Sequence, residues 1–483
     1  MTPAFAIPVL ASLAVLAGCT FDALRPPDVP AADRYTATPL AEQGDVPGVP
    51  GGQAQRLVPA RDIPAEWWSL FRSPTLDGMV RRALEASPTL ARAQARLRQA
   101  QEDLSARSGA TELPRVDGRV SANRVDVDPQ SLGATNLPVP LPLNLYLASV
   151  SVSYTFDFFG ATRHELEGLR AEVDNQKFEL EAARLMLAGN VVTTAIREAS
   201  LREQIAATEA IVSLQARQVG IAERMEQLGG LARAELVVQQ RELAHARVAL
   251  PELRRELERL RHRLAVYVGQ APGASGLPEF RLAELELPAE LPLTLPSELA
   301  RQRPDIRAAE ALLAQAGARV GVATAHLYPQ ITLSANVGTL ATDAGNLFSN
   351  WFYLLGASLT QPIFRGGELQ ARRRSAVAAY EQAGAAYREA VLQGFQNVAD
   401  ALRALEADAA RLKDRVDAAA QARRYLDIAA ERHKAGGLSE AALLDAMRQH
   451  QRAVLEQTQA VADRYADSAA LLQALGGGWW RDP

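Results

Sequence analysis

The chain has 483 residues, a formal net charge of −4 and 22% charged residues, so it carries no basic excess of the kind a nucleic-acid partner requires. Its hydrophobic content is 48% with only 6% aromatics, and Ala, Leu, Arg, Glu and Gln dominate long stretches, a composition of extended helices and coiled coils. A single cysteine excludes an internal disulfide, and the six histidines are scattered, so no metal cluster is legible.

In chain order, the first element is the apolar run FAIPVLASLAVLAGC ending at Cys19. About a dozen apolar residues are too few to cross a bilayer but suit a secretory signal, here residues 1–18. Ala17 and Gly18, both small, directly precede Cys19 and resemble the lipobox of bacterial lipoproteins, which implies a covalent lipid on the Cys19 thiol. No Lys or Arg precedes the apolar run, a departure from the usual charged start of such signals. Thr20 follows the cysteine where an Asp would signal inner-membrane retention, so delivery to the outer membrane is expected. Residues 19–65, rich in Pro, Ala, Gly and Asp without a period, read as an extended, weakly structured lead-in.

The rest repeats itself, with a first unit over 66–268, a linker over 269–296 and a second unit over 297–483. Pro88, Leu97 and Pro114 recur as Pro304, Leu313 and Pro329 at offsets near 215. Asn190, Gly229-Gly230-Leu231 and Gly269 recur as Asn397, Gly436-Gly437-Leu438 and Gly476 at an offset of 207. Each unit runs helix, strand, loop, strand, very long helix, tight turn, long helix.

The strands, expected at 115–124, 146–156, 330–338 and 353–363, rest on strict alternation. Tyr146, Ala148, Val150, Val152, Tyr154 and Phe156 alternate with Ser149, Ser151, Ser153 and Thr155, and the second unit does likewise. Such strands fit a half-buried soluble sheet or a membrane barrel with a wet lumen. Lengths of about 9–11 residues suffice for a tilted crossing. Aromatics gather at the strand ends (Phe158, Phe159, Tyr328, Trp351, Phe364), as at a membrane interface. Four strands close no barrel, and an open edge in lipid is too costly, so a membrane location requires copies of the chain to share one. Three copies leave room for water where two do not.

From Ala161 to about Leu228, and from Gly367 to about Ala435, nothing interrupts a coiled-coil period. Helices of this length extend roughly 100 Å. Many seam positions are alanine, which suits a wall of side-by-side helices. The paired glycines Gly229-Gly230 and Gly436-Gly437 predict helix ends and chain reversal, with both turns at one tip.

Three stretches, Leu295–Gly338, Ser153–Gly160 and Leu359–Arg373, resemble the TolC-like outer-membrane factor family in its lipoprotein branch (OprM-, CusC- and NodT-like). The resemblance runs from Trp67 to near Gly476, essentially the mature chain. It implies a mainly α fold with a membrane β-barrel, namely a homotrimer with a twelve-stranded barrel in the outer membrane lipid and a coiled-coil tunnel through the periplasm. It also implies a periplasmic adaptor (membrane fusion protein) and an inner-membrane pump of RND type as partners, and transport without catalysis or cofactor. The family's periplasmic constriction falls on Gly437–Ala446 here, placing Asp445 at the gate with Leu444 beside it; the leucine expected four residues earlier is Ala441, and the aspartate some relatives carry next is Ala442. Three symmetry-related carboxylates at a narrow end repel anions and hold cations. The turns Gly229–Leu231 and Gly436–Leu438 are, by the same resemblance, where adaptor hairpins dock.

Two other readings compete. A lipid-anchored coiled-coil scaffold leaves the symmetric strands unexplained, and an adaptor lacks its strand pair flanking a hairpin. An enzyme lacks a nucleophile elbow, phosphate loop or ligand cluster. The exported substrate is open, and the scarcity of Met and His favours organic compounds over copper or silver ions.

Overall fold

Prolines at positions 74, 88, 296 and 304 each open a helix, where a missing N–H costs nothing and a fixed φ is already helical. The structure, a computed structural model, describes residues 32–41, 43–59, 61–126 and 142–481. Strand β1 (Arg56–Pro59) precedes helices α1 (Pro74–Ala86) and α2 (Pro88–Glu112), which lead into strands β2 (Arg115–Val125) and β3 (Leu143–Phe156). The long α3 (Ala161–Gln227) and its return α4 (Arg233–Tyr267) complete the first unit. Strand β4 (Glu290–Leu293) and helix α5 (Pro296–Gln302) lead to α6 (Pro304–Ala325), β5 (Gln330–Ala341), β6 (Trp351–Thr360), the long α7 (Glu368–Lys434) and its return α8 (Glu440–Ala474).

Helices α3 and α7 each have 67 residues, a rise of about 100 Å, whereas α4 and α8 have 35 each and span about half that length. The shortfall sets the architecture. In the half nearer the sheet, α2, α3, α6 and α7 lie side by side; in the half nearer the tip, α4, α3, α8 and α7 do. The two long helices therefore run the full height, and each half of the wall is completed by a different pair. Alanine, glycine and valine at the seams let the axes approach: Gly168 of α3 faces Ala318 of α6, and Val191, Val192, Ala195 and Ala199 are fully buried.

Where the upper and lower pairs meet, a belt of apolar side chains covers the wall. Trp67, Phe71, Phe280, Leu282 and Leu291 pack there against Ile196, Leu264, Tyr465 and Leu472. The lead-in is not weakly structured in this region. Residues 43–59 pack on α8, β1 pairs parallel with β4 of the linker, and Gln55 bonds Pro288 O and Ser468 Oγ, both at 3.0 Å. The reason is tertiary: the segment has no period of its own but satisfies its backbone groups against α8 and the linker. The linker is likewise built into the belt through Phe280, Leu285 and Leu287.

The duplication recurs in backbone detail. Gly269 ends the return helix of the first unit at φ +71°, and a Cβ there would lie 2.5 Å from Ala86 O, just before Pro88. Gly476 does the same in the second unit at φ +97°, with Gln302 O at 3.1 Å, just before Pro304. Each glycine lets a returning chain abut the start of its own repeat. Gly269→Ala therefore lowers thermal stability by at least about 1–2 kcal/mol from backbone strain alone, while Gly273→Ala, with open space around it, is neutral in the same melt. Equal melting temperatures for the two variants would contradict this account.

Strands β3 and β5 run further than alternation predicted: β3 starts at Leu143 because Val125↔Leu143 and Arg124↔Asn144 continue its ladder with β2, and β5 ends at Ala341 because Tyr146↔Ala341 and Leu147↔Leu340 continue its ladder with β3. Among the described residues no helix is long and apolar enough to cross a membrane.

Candidate functional site

The sheet order is β2-β3-β5-β6, all antiparallel, with β2 and β6 at open edges. Its register keeps chemistry in rows. Val116, Val152, Ala335 and Leu355 lie opposite one another, as do Val150, Val337 and Tyr353, and Phe156, Ile331 and Leu359. The other face carries Arg115, Ser153 and Ser334, then Thr155, Thr332 and Ser358. Among the described residues no helix covers the apolar face: Val120 and Tyr353 are each 80% exposed and Leu355 74%. An uncovered apolar face with two unpaired edges is an aggregation hazard in water and a fit for lipid once the edges are joined. At the foot of the sheet Phe159 stacks on Tyr328 at 4.8 Å, while Ile363 and Phe364 stand almost fully exposed.

At the opposite end the two turns are built alike. Gly230 N donates to Met225 O and Gly437 N to Arg432 O, both at 2.8 Å, closing the helix ends at Gly229 and Gly436. Ser439 caps α8 by accepting from Ala442 N at 3.2 Å. Both glycine pairs are exposed, Leu231 and Leu438 half-buried. Gln218 Nε2 of α3 donates to Ala441 O at 3.1 Å and Arg217 pairs with Glu440 at 3.3 Å, which holds the two tips together.

A cleft of about 380 Å³ opens between α3, α4 and α8 just above the turns, lined by Met225, Leu231, Val238, Ala441, Asp445 and Arg448 among others. Asp445 is not a bare carboxylate there. Arg448 contacts its Oδ1 and Gln449 Nε2 donates to its Oδ2 at 2.6 Å. Leu444 is 1% exposed and packs inside the wall, so within this chain it is no lumen residue, contrary to expectation. Helical periodicity explains the correction, since neighbouring positions point about 100° apart and only one of the two can face outward. Cys19 and the signal lie outside the described residues.

Three buried polar networks hold the belt. Glu198, fully buried in α3, accepts from Arg202 Nη2 at 2.8 Å, Arg261 Nη1 at 3.1 Å and Phe280 N at 3.0 Å, tying both helices of the first hairpin to the linker. Arg464, fully buried in α8, donates to Gly51 O, Gln53 O and Gln43 Oε1, all at 2.9 Å, and so fastens the lead-in. The same lead-in reaches α7 through Arg403 Nη2 to Thr38 O at 2.7 Å and Ala41 N to Glu406 Oε1 at 2.8 Å. Asp408 of α7, 3% exposed, shares a hydrogen bond with Asp467 of α8; burial and that second acid push its carboxyl up to about 7.

Sequence reasoning missed these networks because their partners lie up to about 420 residues apart, as in Arg464 with Gln43. Sequence reasoning also missed the Asp445–Arg448 pair, for which a spacing of three on a helix was the available signal.

The chain matches the family described as outer membrane efflux protein over residues 79–270 and 295–477. It is 30% identical over 442 residues to the pyoverdine export outer membrane protein OpmQ of Pseudomonas putida, covering 89% of this chain and 92% of that protein. OpmQ of Pseudomonas aeruginosa is 32% identical over 429 residues, covering 88% of this chain and 89% of the relative. Among solved structures, the outer-membrane channel OprN superposes with a TM-score of 0.78 at 28% identity, covering 94% of this chain and 99% of that one.

Proposed function

The chain belongs to the outer membrane efflux protein family, and from that membership we propose that three copies join β2 of one to β6 of the next, forming a twelve-stranded barrel that opens onto a helical duct. The protein is the outer-membrane channel of a tripartite efflux system. The observation that carries the trimer is the uncovered apolar face of a four-stranded sheet whose two edges are unpaired. Three such sheets remove every edge and enclose water on the small-polar face.

A lipid on Cys19 anchors the chain to the outer membrane, a periplasmic adaptor seats on the turns at Gly229–Leu231 and Gly436–Leu438, and an inner-membrane pump of RND type supplies substrate. Asp445, with Ala441 a turn before it, marks the narrow periplasmic end. The duct performs no catalysis and needs no cofactor. Its cargo is organic: both OpmQ relatives are named for pyoverdine export, and Met and His are scarce along the chain.

Outer-membrane extract is expected to show heat-modifiable migration, a trimer without boiling and a monomer after it. A purified, acylated chain that stays monomeric and leaves planar bilayers silent would end the reading. Asp445→Ala raises single-channel conductance, because it removes bulk at the constriction; unchanged conductance and selectivity would remove Asp445 from the gate.

A further inference from the structure

Asp445 sits one helical turn before Arg448, on the same face of α8. The guanidinium contacts one carboxylate oxygen and Gln449 the other, at 2.6 Å, so both oxygens are engaged from within the same helix. Asp445 is the only acid Arg448 pairs with among the described residues, and the two side chains are 35% and 19% exposed. The cleft around them is walled by Ile221, Met225, Leu231 and Val238, which keep solvent from one side of the pair and strengthen its attraction relative to bulk water. The contact is made by one guanidinium nitrogen, Nη2, on one carboxylate oxygen, and a hydrogen bond between two ionised groups is stronger than a neutral one.

We infer that Arg448 sets the ion selectivity of the periplasmic end, by cancelling the charge of Asp445 within each copy of the chain. The inference rests on the reading of Asp445 as a residue of the narrow end. A ring of carboxylates alone repels anions and traps multivalent cations; a ring of ion pairs is close to neutral over a few ångströms and passes organic solutes of either sign. Arg448 is thus a specificity-determining residue, and Asp445 marks the constriction without by itself making it cation-selective. Glu235, on α4 across the cleft, is the other acid that lines it.

The test uses full-length protein in planar bilayers under a potassium chloride gradient, with trimer migration checked for every variant. The wild type shows weak selectivity. Arg448→Gln keeps a hydrogen-bond donor but loses the charge; its reversal potential moves towards that of potassium, and a trivalent cation blocks it at severalfold lower concentration. Arg448→Lys keeps wild-type selectivity, and the double variant Asp445→Asn with Arg448→Gln returns to it. If Arg448→Gln matches the wild type while Asp445→Asn shifts selectivity towards anions, the role of Arg448 is overturned and the placement of Asp445 stands. If neither single variant changes selectivity or conductance, the placement of Asp445 fails, and this inference with it.

Discussion

Arg464→Ala is expected to lower the unfolding free energy by roughly 3–5 kcal/mol, because it deletes a fully buried cation and leaves its three acceptors, among them the buried Gly51 O, without their donor. Gly51 O, Gln53 O and Gln43 Oε1 each lose a donor at 2.9 Å, and a charge-assisted hydrogen bond contributes about 1.5–3 kcal/mol. The loss is local as well as global. The segment from Gln43 to Gln55 is held to α8 chiefly through this guanidinium and Gln55, so protease cleavage there should accelerate before the helices melt. Ser468→Ala, which removes one hydroxyl from the same patch, serves as the mild comparison at about 1 kcal/mol. A melt and a cleavage rate for Arg464→Ala both equal to those of the Ser468 variant would show that the belt does not depend on the cation.

Stability should also fall as pH rises from about 4 to about 7, with Asp408 as the main source. Its carboxyl is raised to about 7 by burial first, then by the hydrogen bond to Asp467 and the charges of Asp467 and Asp463, with Arg411 opposing. Arg464 and, from the lead-in, Asp45 complete the charged groups in this neighbourhood. The folded chain keeps a proton that the unfolded chain releases at an ordinary carboxylate pKa. The contribution is therefore fully present below about pH 4, declines through the window, and is gone above about pH 7. Three pH units at about 1.4 kcal/mol each set an upper bound of about 4 kcal/mol, which sharing of the proton with Asp467 reduces. Asp408→Asn supplies a permanent donor to Asp467, so it should flatten the curve between pH 5 and 7 and melt higher than wild type at pH 8. A wild-type melting temperature constant from pH 5 to 8 would remove the shared proton from the account.

These two effects lie in the belt, the part of the molecule least visible beforehand. The long helices were legible because their signal is dense: uninterrupted seams from Ala161 and from Gly367, and glycine pairs where each stops. The strands were legible through alternation, and their ends were misjudged by a few residues because pairing with a neighbour, as in Tyr146↔Ala341, extends a strand past its own pattern. Asp445 was found by resemblance; its neutralising partner three residues on was visible in spacing but acquires meaning only when both oxygens are seen to be engaged.

By itself the sequence determined the duplication, the four strands of the sheet, the two long helical hairpins and which face of each strand is apolar, because these are properties of local period and of spacing along one chain. Only the tertiary structure decided that the lead-in and the linker are woven into the wall, that Leu444 turns inward, and that Asp408 keeps company with a second acid. Each of those depends on contacts between residues distant in the chain, where no period exists to announce them and the outcome is set by which buried polar groups find partners.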